Sequence, residues 1–134
     1  MVFGSFMKKF IRSFLLWAPP VAQMVLIFYY SSRPAGSSAL ERFPLPAGLG
    51  HFVGYAILAF LFYRAFNGGS FRFAARSALY AFGAAALYGV FDEIHQLFVP
   101  GRQATVVDIF IDAAGAACAV GLLYLWNLNK NVEE

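Results

Sequence analysis

Residues 91–112 read FDEIHQLFVPGRQATVVDIFID and hold four of the chain's seven carboxylates, one of its two histidines and an arginine. On either side the chain turns apolar, with AARSALYAFGAAALYGV at 74–90 before it and AAGAACAVGLLYLWNL at 113–128 after it. The stretch is therefore a polar corner between the last two hydrophobic segments. Ionisable groups are expensive in such surroundings, so their collection here asks for a reason.

The rest of the composition says what those segments are. Of 134 residues, 60% are hydrophobic and only 13% charged, with 16 phenylalanines; soluble domains carry about 25% charge. The composition points to a bilayer and leaves room for one domain. The net charge of +3 is scattered, with no basic stripe of the kind nucleic-acid binding needs. One cysteine, Cys118, excludes an internal disulfide and a cysteine-rich metal site. Its setting in GAACAVG reads as that of a small buried hydrophobe.

Four spans are expected, at about 14–31, 47–65, 73–92 and 106–128, each near the roughly 20 residues a crossing helix needs. The expected fold is an all-α bundle of four transmembrane helices. Pro19 and Pro20 fall inside the first span, where membrane helices tolerate a kink. Lys8, Lys9 and Arg12 before it would also suit a signal peptide, but no small-x-small cleavage site follows closely, so the span reads as an anchor. Four spans put both termini on one side. Lys8, Lys9, Arg12, Arg64, Arg72, Arg76 and Lys130 share that side, seven of ten basic residues, against Arg33, Arg42 and Arg102. The positive-inside rule then places both termini in the cytoplasm, in the inner (cytoplasmic) membrane, with Trp17 and Trp126 at the cytoplasmic interface.

This topology gathers the polar residues on the outer side. His51 opens span two; Asp92, Glu93, His95 and Gln96 end span three; Arg102 lies in the loop; Asp108 and Asp112 open span four. Arg33 and Glu41 lie in the first outer loop. Ala81, Ala85 and Gly89 recur every four residues and lead to Glu93, and Gly115 and Ala119 form a small-xxx-small pair, so these stripes read as packed faces. Glu93 continues its stripe and is expected to point inward. Asp92 lies about 100° away, so one of the two acids should be central, and Asp92, His95 and Gln96 share a face that would meet headgroups. Thr105 and Asp108 have capping-box spacing. Asp112 lies one turn deeper, with Arg102 as its expected partner. The ligand-binding set is His51, Asp92, Glu93, Gln96, Arg102, Asp108 and Asp112; the candidates for chemistry are Glu93, His51 and Arg102. No HExxH, CxxC or aspartate-loop pattern is present, so neither metal nor cofactor is expected. There is no G-x-S-x-G elbow and no base assigned to Ser31 or Ser32, and NGGS at 67–70 reads as a short turn without a following lysine.

LYGVFDEIHQLFVPGRQATVVDIFIDAAGAACAVGL, residues 87–122, resembles the signature region of the VanZ-like membrane proteins. The shared features are the acidic pair Asp92 and Glu93, Gln96, Arg102, Asp108 and the small residues from Ala113 to Gly121. GLGHFVGYAILAF, with His51 and Tyr55, resembles the family's second segment. IFYYSSRP, with Ser31 and Ser32, resembles the end of its first. Asp112 departs from the pattern, where asparagine is more frequent. The family takes its name from an accessory protein associated with teicoplanin resistance. The resemblance therefore implies a cell-envelope membrane protein whose partners are the bilayer and a lipid-linked cell-wall precursor or other anionic headgroup. Some relatives are labelled phosphotransbutyrylases, which a chain without a phosphate cradle does not support. Three roles stay open for the cluster: binding or shielding a headgroup; hydrolysis or transfer on lipid-linked substrates, with Glu93 as base, Arg102 facing an oxyanion and His51 as acid; and a purely architectural lock of Glu93, Arg102 and Asp112.

Overall fold

Small residues decide how closely the helices of this chain can lie. The computed structural model describes residues 2–34 and 48–133 and contains four helices: α1 (Val2–Ser31), α2 (Leu49–Phe66), α3 (Ala75–Gln96) and α4 (Val106–Glu133). Glu41, Arg42 and Ala47, placed by the sequence reading in the first loop and at the start of span two, lie outside the described residues. The all-helical expectation holds. Three helices are long and apolar enough to cross a membrane: α1 over Gly4–Ser31, α2, and α4 over Val106–Lys130. The third expected span is a helix of 22 residues but falls short of that standard. Its alanines, glycines, Ser77, Arg76 and terminal acids dilute its apolar character.

Helix α1 begins twelve residues before the expected span, at Val2, because FMKKFIRSF contains nothing that stops a helix. At about 1.5 Å per residue it is about 45 Å long, more than the hydrocarbon thickness of about 30 Å. It runs through Pro19 and Pro20 without interruption. Proline has no N–H to offer the carbonyl four residues back, and the carbonyl of Leu15 so released accepts a long hydrogen bond of 3.4 Å from Arg64 Nη1 on α2.

Helix α2 is the hub: it packs on α1, α3 and α4, whereas α1 and α4 do not meet among the described residues. Its Tyr55, Leu58, Ala59, Phe62 and Tyr63 make up half of the buried core, against Ala78, Ala81 and Ala85 of α3 and Ala116 and Leu123 of α4. The expected stripe of Ala81, Ala85 and Gly89 is buried along its length. At Gly115 a Cβ would overlap the Phe52 carbonyl of α2, so α2 and α4 touch backbone to backbone, as small-xxx-small pairs allow. Most of the phenylalanines go outside. Ten phenylalanines are exposed, and Phe62 is the one buried among the described residues. Cys118 is also exposed, contrary to the buried expectation, because the face of α4 turned to α2 is already taken by Gly115, Ala116 and Ala119.

At one end of the bundle amides and a tyrosine tie the helices together. Asn127 of α4 accepts from Phe73 N–H at 2.7 Å and donates to Phe71 O at 2.9 Å. Tyr63 donates to Arg72 O and accepts from Ala74 N–H, and Arg12 of α1 reaches Gly68 O at 2.8 Å. The NGGS segment is the expected turn, with Gly68 and Gly69 at positive φ. Trp17 against Phe66 and Trp126 against Phe71 lie at this end, so the two tryptophans share a side as the sequence reading required.

The Gly115 contact gives a sharp test. Gly115→Ala should lower stability in detergent by about 1–3 kcal/mol, the range for overpacking against a neighbour that cannot yield. Gly121→Ala, where an added Cβ meets nothing within 4 Å, should be neutral or gain up to about 1 kcal/mol of helix propensity. Thermal unfolding of the two variants beside the parent reads the difference.

Candidate functional site

The opposite end collects the ionisable residues, beginning at the corner between α3 and α4. A helix start leaves N–H groups without partners. Here Thr105 Oγ1 accepts from Asp108 N–H at 3.0 Å and its hydroxyl donates to Asp108 Oδ2 at 2.7 Å. Asp108 is thus a capping residue, the simpler of its two readings. In a capping box the third helical side chain also takes the cap's own N–H; that N–H goes instead to Glu93 Oε2 at 2.9 Å. Helix α3 therefore finishes the cap of α4.

Both acids of the pair are buried. Asp92 is 1% exposed and Glu93 3%, with Gln96 at 3% beside them, which corrects the expectation that one acid and Gln96 would face headgroups. The reason is that α3 is flanked on two sides. The roughly 100° between consecutive residues turns Glu93 to α4 and Asp92 to a cavity along α1 and α2. Gln96 Nε2 donates to Asp92 Oδ2 at 3.1 Å and lies 3.4 Å from Glu93 Oε1. His95 alone of that face is partly exposed. Its ring stacks on Phe28 at 4.4 Å and its Nε2 lies 2.9 Å from Ser32 Oγ. Ser32 spends its hydroxyl proton on Phe28 O, 2.7 Å away, so the ring nitrogen donates and the serine is not activated.

Asp112 pairs with His51, not with Arg102. His51 Nδ1 lies 3.1 Å from Asp112 Oδ1, the one ion pair among the described residues. Asp112 reaches it through a gap left by Gly89, where a Cβ would stand 2.9 Å from Asp112 Oδ2. Arg102 turns the other way and donates to Arg33 O and Tyr30 O at 3.0 Å each, placing a cation at the C-terminal end of α1, where the helix dipole favours one. The proposed lock of Glu93, Arg102 and Asp112 is therefore replaced by two separate units. One joins α2 to α4 and the other joins the corner to α1.

Between α1 and α2 lies a cavity of about 450 Å³. Leu26, Ile27, Leu49 and Val53 form its apolar walls, and Ser31, His51, Tyr55, Asp92, Gln96 and Arg102 supply its polar groups. Buried polar atoms nearly always have partners, yet Ser31 Oγ, Tyr55 OH, Asp92 Oδ1 and Asp112 Oδ2 have none. The first three belong to residues lining this cavity. Beside it, His51, Glu93 and Asp112 each bring one potential metal-ligand atom to within 4.8 Å of the others. Glu93 and Asp112 do not line the cavity; His51 belongs to both groups. Tyr55 and Ser31, absent from the expected ligand set, were marked only by the family-like segments that contain them.

The cap at Thr105 can be tested directly. Thr105→Ala should cost about 1 kcal/mol, the usual loss at an N-cap, and Thr105→Ser should retain most of it. Chemical unfolding in mixed micelles measures both.

The profile of the VanZ/LLP1 family matches residues 14–127. No curated protein and no solved structure matches the chain. The matched region runs from α1 to the last turns of α4 and includes every side chain of the polar end. With apolar helices long enough to cross a bilayer, the molecule is a multi-pass membrane protein, and the chain belongs to the VanZ/LLP1 family.

Proposed function

We propose that the cavity between α1 and α2 receives the polar headgroup of a lipid-linked envelope molecule, whose aliphatic part stays in the bilayer against α1 and α2. One observation carries this reading: three buried polar atoms without partners, Ser31 Oγ, Tyr55 OH and Asp92 Oδ1, belong to residues that line a cavity with apolar walls. Each buried group left unsatisfied costs about 1–3 kcal/mol, and a ligand rich in hydroxyls or amines would satisfy them together. Arg102 at the same cavity brings a positive charge of the kind that suits a phosphate or carboxylate. The chemistry is that of a glycerol- or sugar-phosphate headgroup, including that of a cell-wall precursor. Occupying such a headgroup would connect the chain to glycopeptide resistance, as the family's name implies.

The reading includes a topology. At about 33 Å, α3 spans the hydrocarbon as a fourth crossing between α2 and α4, shielding its polar positions by packing on both. The distribution of the basic residues supports termini in the cytoplasm and the cavity outside. A second reading, hydrolysis or transfer on the same headgroup, rests on the His51–Asp112 pair. A carboxylate holding one ring nitrogen presents the other as a general base. Under that reading His51 is the base and Glu93, engaged by Thr105 N–H, is not.

Tyr55→Phe and Ser31→Ala separate binding from folding. Because neither hydroxyl has a protein partner, both variants should unfold at or above the parent's midpoint. Their retention of phosphatidylglycerol or undecaprenyl phosphate in native mass spectrometry should fall about tenfold, which corresponds to about 1.4 kcal/mol. Unchanged retention in both would end the headgroup reading. For the topology, Ser70→Cys and Gln103→Cys on a Cys118→Ala background should divide cleanly. A membrane-impermeant maleimide applied to intact cells labels position 103 and spares position 70; the reverse pattern puts the cavity inside.

A further inference from the structure

We propose that His51, Glu93 and Asp112 form a binding site for one divalent transition-metal ion, of the Zn²⁺ or Mn²⁺ class, at the junction of α2, α3 and α4. Three helices each contribute one ligand atom, and all three atoms lie within 4.8 Å of one another. Within the group, His51 Nδ1 and Asp112 Oδ1 are 3.1 Å apart. Two ligands of one ion at bonds of about 2.0–2.2 Å stand about 3.0–3.4 Å from each other, so this spacing serves a shared ion as well as a hydrogen bond. Closing the remaining separation takes side-chain movement of under about 1 Å at those bond lengths.

The charge and the hydrogen bonding point the same way. Glu93 and Asp112 are 3% and 1% exposed, and His51 makes the one ion pair among the described residues. Even a protonated imidazole leaves two buried carboxylates with one positive charge between them; a divalent ion with neutral His51 balances them. The second oxygen of Asp112 has no protein partner. It belongs to the same buried carboxylate whose other oxygen meets His51 and is an independent sign of an unfilled bonding capacity. Outer contacts hold the ligands in place, as metal sites require. Thr105 N–H fixes one oxygen of Glu93 at 2.9 Å and leaves the other with only the 3.4 Å contact to Gln96. The donor set of one imidazole and two carboxylates suits borderline ions of this class rather than thiolate-seeking ones.

Three protein ligands leave at least one coordination position open, and His51, shared with the cavity wall, places the ion beside the cavity. If the headgroup reading holds, the ion explains how a pocket lined by Asp92 admits a phosphate: the metal takes a phosphate oxygen while Asp92 accepts from hydroxyls. The site itself does not depend on that reading.

The test reads the ion alone. Purified full-length chain is stripped with EDTA in detergent and titrated with Zn²⁺ and, separately, Mn²⁺. Bound metal per chain and the unfolding midpoint are both followed. The expected result is one ion per chain and a raised midpoint for at least one of the two metals. His51→Ala and Glu93→Gln should each weaken binding by about a hundredfold, the upper range for losses at a metal's supporting groups. Glu93→Gln keeps an acceptor for Thr105 N–H, so it folds even where Asp112→Asn fails. Cys118→Ala, which removes the exposed thiol, should bind like the parent. Absence of stoichiometric metal in the parent, or binding equally strong in His51→Ala and Glu93→Gln, overturns the proposal. Neither result bears on lipid retention, which is measured on Tyr55 and Ser31.

Discussion

Asp112 sits at 1% exposure between α2, α3 and α4, and the demands of a buried carboxylate organise the end of the bundle around it. Taking such a group out of water costs several kcal/mol unless opposite charge and hydrogen bonds accompany it. The accompaniment comes from His51 on one side. The space comes from Gly89 on the other, where an added Cβ would stand 2.9 Å from Asp112 Oδ2 and 3.1 Å from Asp112 Cβ. The start of α4 must then lie deep enough for Asp112 to reach the level of His51. That depth is set by the cap at Thr105, completed from α3 by Glu93. Remove the aspartate and the glycine, the histidine and the shared cap lose their common purpose.

The two ends of the bundle solve the same mechanical problem with different chemistry. At one end, neutral groups on Asn67, Tyr63 and Asn127 bond to loop backbone, and every bond is closed by the protein itself. At the other, acids and histidines span helices and leave four polar atoms without partners. A fold that can satisfy its loop with amides has no structural need for three buried carboxylates. This contrast favours a ligand-directed reading of the polar end over a merely architectural one.

Helices and their packed faces were legible because small residues recur at one-turn spacing. Ala81, Ala85 and Gly89 read correctly as a buried stripe, and Thr105 with Asp108 read as a cap, because both patterns are local. What failed was pairing across helices. A single helix read alone has one inside. Helix α3 has two, so Asp92 and Gln96, on a face that the sequence alone could equally turn to the headgroup layer, line a cavity. Asp112 was matched to the nearest cation in sequence, Arg102, whereas the fold brings His51 from another helix. Cys118 shows the mirror image: a small residue on a small-residue helix lies on its exposed face. The amide latch at Asn67 and Asn127 passed unseen because asparagines near helix ends ordinarily mark turns.

The distribution of side-chain size has its own consequence. Ten of the phenylalanines among the described residues are exposed while the closest helix approaches are made at glycine, so much of the molecule's bulk lies outside, the reverse of a soluble protein. Its bulky residues are solvated by lipid, and exchanging one greasy side chain for another there changes little. The small residues at the helix contacts, Gly89 and Gly115 first among them, are the ones with little freedom. At the helix contacts and on the lipid-facing surface, tolerance to substitution rises with side-chain volume, and a mutational profile scored by the habits of soluble proteins would rank contact glycines such as Gly89 and Gly115 among the most dispensable positions.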